Sequence, residues 1–126
     1  MSKKVVYSEN APEPIGPYSQ AIASGNMLFV SGQIAIEKST GKIKTGNINE
    51  ETEQVMQNLG AVLKAGGMDF TNIVKTTIFL KNMSDFPSVN EVYGKHFQSE
   101  PPARETVEVS RLPKDVNVEI SCIAIK

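Results

Sequence analysis

Residues 49–80 read NEETEQVMQNLGAVLKAGGMDFTNIVKTTIFL and contain the two patterns that decide the fold. In the first half, five apolar residues recur at helical spacing: Val55, Met56, Leu59, Val62 and Leu63. This stripe predicts a helix over Asn49–Ala65, with Asn49 as its N-cap and Gly66-Gly67 as its stop signal. Alternating β-branched residues predict a strand over Ile73–Leu80.

Outward from this stretch, turn signals divide the rest of the chain into short elements. Gly25-Asn26 separates the apolar runs Ala21–Ser24 and Met27–Ser31, which predicts a tight hairpin. The proline-rich segment Ala11–Pro17 is expected to be an ordered loop, because proline fixes φ and lacks a donor. The last two strands are expected at Glu105–Val109 and Val116–Ile125.

A second helix is predicted after the central strand, with Ser84 as its N-cap and Pro87 in its first turn. Its apolar face would consist of Phe86, Val89, Tyr93 and Phe97. The resulting order predicts one α+β domain over residues 1–126, in which a mixed sheet carries two helices on one face.

The predicted strands are apolar on both faces. In the central strand, Val74, Ile78 and Leu80 are assigned to one face, and Ile73 and Phe79 to the other. Two helices cover only one face of a sheet, so the second face needs another cover. The sequence therefore predicts a homo-oligomer.

Composition excludes several classes of function. Thirteen Lys and Arg against fourteen Asp and Glu give a net charge of −1, which argues against a nucleic-acid or polybasic membrane-surface protein. No apolar run approaches the roughly 18 residues of a membrane span. The single cysteine, Cys122, forms no internal disulfide, and a cytoplasmic location is expected. Neither Cys122 nor the single histidine, His96, has support for a catalytic role, and no metal site is predicted.

Four places carry side chains with chemical potential. Tyr18 adjoins a rigid Gly-Pro turn, Ser31-Gly32 ends an apolar strand, Arg104 follows a proline pair, and Glu119 lies inside the apolar last strand. Taken singly, each has an ordinary structural explanation: a loop tyrosine, a turn, a surface arginine and an outward-facing strand residue. Asn90 is similarly an ordinary polar position of the second helix.

In combination, these motifs resemble the Rid family of imine deaminases, also called the YjgF type, and its RidA-type subgroup most closely. The resemblance covers Tyr7–Ala124 and rests on the runs GPYSQA (16–21), VSGQ (30–33), VN and Tyr (89–93), PAR (102–104), VEV (107–109), LP (112–113) and VEI (118–120). It implies a chorismate-mutase-like homotrimer with a central barrel and ligand clefts between adjacent subunits.

The resemblance also implies an activity that needs no cofactor. Members of the active subgroup hydrolyse short 2-imino acids and their enamine tautomers (2-aminoacrylate/2-iminopropanoate, 2-aminocrotonate/2-iminobutanoate) to 2-oxo acids and ammonia. The matching positions make Arg104 the ligand for the substrate carboxylate and Glu119 the residue that orients water. The remaining substrate-binding positions are Tyr18, Ser31, Gly32, Asn90 and Thr106. Thr106 stands where many relatives have cysteine, and Ser121 stands where they often have an acidic residue.

Two alternatives remain open on the sequence. A non-catalytic trimer that senses small ligands, or that acts as a chaperone-like partner, needs the same arginine. A ribonuclease or translation inhibitor is the second alternative, and the acidic pI near 5.8 and the single histidine speak against it.

Overall fold

Six strands form one mixed sheet, and two helices pack on one of its faces. The structure is a computed structural model that describes residues 2–126. In chain order the elements are β1 (Lys4–Val6), β2 (Ala21–Ser24), β3 (Met27–Gln33), α1 (Ile48–Ala65), β4 (Ile73–Leu80), α2 (Phe86–Gly94), β5 (Ala103–Glu108) and β6 (Val118–Ile125). The strand order across the sheet is β1-β2-β3-β6-β4-β5; β4 and β5 run parallel, and the other neighbouring pairs of these strands are antiparallel. The α+β arrangement predicted from the sequence is confirmed.

Helix α1 supplies the centre of the core. Its five predicted stripe residues are all fully buried, and the helix packs on β3 and β6. The predicted N-cap is wrong by two residues, because the side chain of Asn47 accepts hydrogen bonds from the backbone N–H groups of Asn49 (2.8 Å) and Glu50 (3.1 Å). The helix therefore starts at Ile48, and it ends at Ala65 with Gly66 as its C-cap, as expected.

Helix α2 begins later than predicted. Ser84 lies inside a short 3₁₀ turn, Met83–Asp85, and Asp85 takes the cap position without a side-chain cap. The nearby Pro87 has no N–H, so the helix start has one fewer donor to satisfy. The predicted apolar face is confirmed for Phe86, Val89 and Tyr93. Phe97 lies beyond the end of the helix at Gly94, although it still packs against the core.

A β-bulge in β4 reverses part of the predicted face assignment. Ile73 is buried, whereas Val74 is 45% exposed. Ile73 pairs with Ala124 and Lys75 pairs with Ile123, so β4 contains one residue more than β6 at this point. The extra residue turns Val74 outwards and keeps Ile73 on the helix-covered face with Ile78 and Leu80.

The other sheet face is open in the single chain and partly apolar. Phe29 is 41% exposed and pairs with Ile123, while Val107 is 42% exposed and pairs with Phe79. Apolar residues thus occupy both faces, as the strand patterns indicated. That another copy of the chain covers this open face stays a prediction.

The hairpin and loop predictions are confirmed. Ser24 pairs with Met27 across a two-residue turn in which Gly25 has a φ of 59°. Residues 7–20 contain no helix or strand. Strand β1, which pairs with β2, is an element that the sequence patterns did not indicate. Neither helix in residues 2–126 combines the length and apolar character needed to cross a bilayer.

Candidate active site

A cavity of about 360 Å³ opens beside the last strand. Three segments form its walls: the loop before β2, the end of β3 with the residues after it, and the turn before β6. Four of the predicted site residues line it: Tyr18, Ser31, Gly32 and Glu119. We call these four residues the glutamate pocket.

The buried side chain of Gln20 fixes the loop that carries Tyr18. Its Oε1 accepts from the backbone N–H of Ser8 (2.6 Å), and its Nε2 donates to the carbonyls of Ser8 (3.1 Å) and Pro12 (2.9 Å). Ser31 ties the loop to β3, because its hydroxyl donates to the Ser19 carbonyl at 2.6 Å. The loop is therefore ordered although it has no regular secondary structure.

Tyr18 lies at the mouth of the cavity and is 50% exposed. Its hydroxyl accepts a hydrogen bond from the backbone N–H of Ile15 at 3.2 Å. The turn before it depends on Gly16, whose φ of 141° is strained for other residues.

Glu119 occupies the half-buried end of the glutamate pocket. It alternates along β6 with the buried residues Val118 and Ile120, so its side chain lies on the open face of the sheet. Burial raises the pKa of its carboxyl. Gly32 provides the space for this side chain, because a Cβ at position 32 would lie 2.8 Å from Glu119 Cδ.

A second cluster of predicted site residues lies on β5 and α2. Arg104 Nη1 donates to Asn90 Oδ1 at 2.8 Å. The guanidinium carbon of Arg104 is 5.0 Å from the ring centroid of Tyr93 and 5.4 Å from that of Phe86. One hydrogen bond and two aromatic rings from the described residues 2–126 thus hold the guanidinium, which leaves other N–H groups for an anion.

Thr106 lies two residues further along β5, on the same side as Arg104. Its Oγ1 is buried and has no hydrogen-bond partner within residues 2–126. Buried hydroxyls normally have a partner, so this unpaired one is unusual. We call Arg104, Asn90 and Thr106 the arginine group.

The glutamate pocket and the arginine group lie on opposite faces of the sheet. Arg104 pairs with Thr76, which is buried under α2 and shares a hydrogen bond of 2.7 Å with Tyr93. Glu119 pairs with Phe79, on the open face. Directly paired residues in neighbouring strands share a face. A single chain therefore brings each group together but does not join the two groups.

Several cavity residues were not singled out by the sequence patterns. Ile34 and Ile36 contribute apolar wall after β3, and Lys114 contributes a cation before β6. Lys114 and Asp115 both have positive φ, at 59° and 55°, in the 3₁₀ turn Pro113–Asp115. In the sequence, this turn is indicated only by Leu112-Pro113 at its start.

His96 and Cys122, for which the sequence supports no catalytic role, both lie in ordinary packing environments. His96 Nε2 lies 3.1 Å from Glu53 Oε1, and the His96 ring packs on Phe70. Cys122 is buried in the core, and burial raises its pKa to about 12, so its thiolate is scarce at neutral pH. Across residues 2–126, no three His, Cys, Asp or Glu side chains are grouped so that they could hold a metal ion.

Comparison with known proteins shows the family of the chain. The family model described as Endoribonuclease L-PSP matches residues 8–126. A RutC family protein of Pyrococcus horikoshii is 53% identical, over 98% of both chains. The human protein named 2-iminobutanoate/2-iminopropanoate deaminase is 44% identical, over 98% of this chain and 90% of the human one.

Solved structures agree with the sequence matches. A Yersinia pestis protein described as a member of the conserved Rid protein family is 46% identical and superimposes with a TM-score of 0.96. That superposition covers 99% of this chain and 100% of the other. With matches of this quality over nearly its whole length, the chain belongs to the Rid family, also called the YjgF type.

Proposed function

We propose that this protein hydrolyses short 2-imino acids and their enamine tautomers to 2-oxo acids and ammonia. The observation that carries the proposal is the pair of groups described above: a guanidinium fixed for a carboxylate, and a half-buried carboxylate beside an open cavity. The 44% identity to the human protein named for this reaction supports it.

We further propose that each active site combines the arginine group of one chain with the glutamate pocket of a neighbouring chain in a homotrimer. Their placement on opposite faces supports this arrangement, because one chain cannot enclose a small ligand between them. The partly apolar open face that contains Phe29 and Val107 supports association between copies. A closed ring of identical head-to-tail contacts would repeat the combined site in every interface.

In the proposed reaction, Arg104 binds the substrate carboxylate through two parallel N–H donors. This places C2, the imine carbon, at the cavity of the neighbouring chain. Water then attacks C2 and its oxygen forms the new C–O bond, while the π electron pair of the C=N bond moves to nitrogen. Glu119 accepts the proton that the water loses.

The tetrahedral carbinolamine that results collapses in the second step. Glu119 returns the proton to the amino nitrogen, and the C2–N bond breaks with its electron pair leaving on ammonia. The hydroxyl oxygen forms the C=O double bond and gives its proton to Glu119, which releases it to solvent before the next cycle. Protonated imines are already strong electrophiles, so the residues mainly orient the substrate and the water. Tyr18, Ser31, Gly32, Asn90 and Thr106 would complete the binding surface, with Gly32 and Thr106 contributing backbone groups.

The first test is imine hydrolysis with 2-aminoacrylate generated in place by a pyridoxal-phosphate lyase acting on serine. The rate of 2-oxo acid formation above the lyase-only rate is compared for wild type and Arg104→Ala. We expect acceleration by wild type and a loss of about 100-fold or more in the variant, since a charged, bidentate contact is removed.

A second variant of Arg104 separates binding geometry from charge, and a variant far from the site serves as control. Arg104→Lys keeps the charge but not the planar fork, and we expect it to restore little activity. Lys64→Ala removes a charge from the exposed end of α1 and should leave the rate unchanged. If folded wild type gives no acceleration, the deaminase proposal is wrong, and binding of a 2-oxo acid without turnover would favour the sensor alternative.

A further inference from the structure

Glu51, in the first turn of α1, is a fully buried carboxylate outside both groups of site residues. Its Oε2 accepts from the backbone N–H of Asn117 at 2.7 Å and from that of Val118 at 3.3 Å. Its Oε1 accepts from Asn117 Nδ2 at 2.7 Å. The two backbone N–H groups can only donate, so a side chain at this position must present an acceptor to them.

These hydrogen bonds fix the chain immediately before Glu119. Strand β3 pairs with β6 only from Ile120 onwards, and so does not hold the first residues of β6 from that side. On the other side, the backbone N–H of Lys81 donates to the Asn117 carbonyl at 3.0 Å. The hydrogen bonds of Glu51 therefore act as a clamp: they anchor the chain at Asn117 and Val118 to α1, where pairing with β3 is missing.

The chain upstream of this clamp is strained. Lys114 and Asp115 are two successive non-glycine residues with positive φ, a backbone conformation that costs energy unless neighbouring contacts maintain it. Without the buried carboxylate, a shift of this turn would pass directly through Asn117 and Val118 to Glu119. Because strand residues alternate in direction, even a small rotation at Val118 re-aims the Glu119 side chain.

We propose that Glu51 is a positioning residue for Glu119: through Asn117 and Val118 it holds the carboxylate at the angle that the reaction uses. This inference rests on the proposed function, because it assumes that Glu119 takes the proton from water. It adds a buried residue on α1 to the site, although Glu51 does not line the cavity.

The sharpest variant is Glu51→Gln, which keeps shape and burial but removes the negative charge that strengthens the hydrogen bonds to the two backbone N–H groups. We expect kcat to fall about tenfold and KM to change less than about twofold, because Arg104 on β5 holds the substrate. Thr52→Val is the matched control, since Thr52 is equally buried on the same helix but its hydroxyl donates only to the Ile48 carbonyl. Its kinetics should match those of wild type.

A double-mutant cycle distinguishes positioning from general loss of structure. If Glu51 acts through Glu119, adding Glu51→Gln to Glu119→Gln causes no further loss, and the two rates agree within about twofold. A merely structural role would lower the remaining rate a further tenfold or so. Should Glu51→Gln fold poorly, Asn117→Ala removes only one of the three hydrogen bonds, and the same cycle with a loss of about threefold gives the answer.

The outcomes separate this inference from the function on which it rests. Wild type without turnover overturns both. Turnover that Glu119→Gln leaves unchanged overturns the role of Glu119, and with it that of Glu51. Turnover that depends on Glu119, combined with a wild-type rate or an additive loss in Glu51→Gln, overturns the positioning role alone.

Discussion

Glu119 is a half-buried carboxyl on the open face of the sheet, and burial raises its pKa above the usual value of about 4.3. A general base works only when it is deprotonated. Activity should therefore fall as pH drops through this raised pKa, so the midpoint of the acid limb lies above pH 4.3. The measurement is kcat against pH from 4 to 8, with the lyase assayed separately at each pH.

Two results would contradict this prediction. Glu119→Gln has no titrating carboxyl, so its residual kcat should not show the limb. A limb that persists in that variant assigns it to another group. A wild-type midpoint at or below about 4.3 would contradict the burial of the carboxyl in the active form.

Gly32 is the residue that makes space for Glu119. A Cβ at this position would lie 2.8 Å from Glu119 Cδ, so Gly32→Ala must push the carboxylate aside. We expect kcat to fall about tenfold with little change in melting temperature, since the end of a flexible side chain can move. Gly46→Ala is the control, because a Cβ there meets nothing within 4 Å. Equal activity in the two variants would show that the orientation of Glu119 does not limit the rate.

At the scale of the elements, the 7–20 loop depends on one buried side chain. Gln20→Ala removes the hydrogen bonds to Ser8 and Pro12 and leaves backbone groups without partners. The free energy of unfolding should fall by about 2–4 kcal/mol. Urea denaturation at fixed protein concentration measures this, and limited proteolysis should show new cleavage between residues 8 and 18. Gln57→Ala, on the exposed side of α1, should change neither.

Elements with strong periodicity were predictable and their ends were not. The α1 stripe and the α2 face follow from side-chain spacing alone, so both helices were predicted. Asn47 and Asn49 are chemically equivalent as caps, and only the backbone direction decides between them. The bulge at Val74 depends on pairing with β6, about 50 residues away, which local alternation cannot reveal.

At the scale of the whole molecule, the sequence indicated which residues belong to the site but not how they are arranged in space. Arg104 and Glu119 stand out through their motifs, but sheet register alone places them on opposite faces. Ile34, Ile36 and Lys114 reach the cavity only through tertiary folding, and their own sequence context carries no catalytic signal.

The charge and the single histidine also bear on the ribonuclease alternative that the family description retains. A net charge of −1 gives the molecule no overall electrostatic attraction to phosphates. His96 is paired with Glu53 beside Phe70 and does not line the cavity with Glu119. These two observations argue against the ribonuclease alternative.

The proposed inter-subunit site predicts complementation between two inactive variants. In a ring, each site takes its arginine group from one chain and its glutamate pocket from the next. Arg104→Ala inactivates the arginine group and Glu119→Gln inactivates the glutamate pocket. Mixed trimers therefore contain some sites in which both groups are intact. Random assembly of equal amounts makes about one quarter of the sites intact, and about that share of wild-type activity should return.

The experiment unfolds the two variants together, refolds them, and assays 2-oxo acid formation against each variant refolded alone. Arg104→Ala mixed with Arg104→Lys is the control, since two changes at one position leave every site with a defect. Recovery only in the first mixture requires that Arg104 and Glu119 act from different chains. Failure to recover, with trimers of the expected mass present, would mean that each site draws both residues from one chain. The sheet would then have to change its register for Arg104 and Glu119 to meet, because paired residues place them on opposite faces.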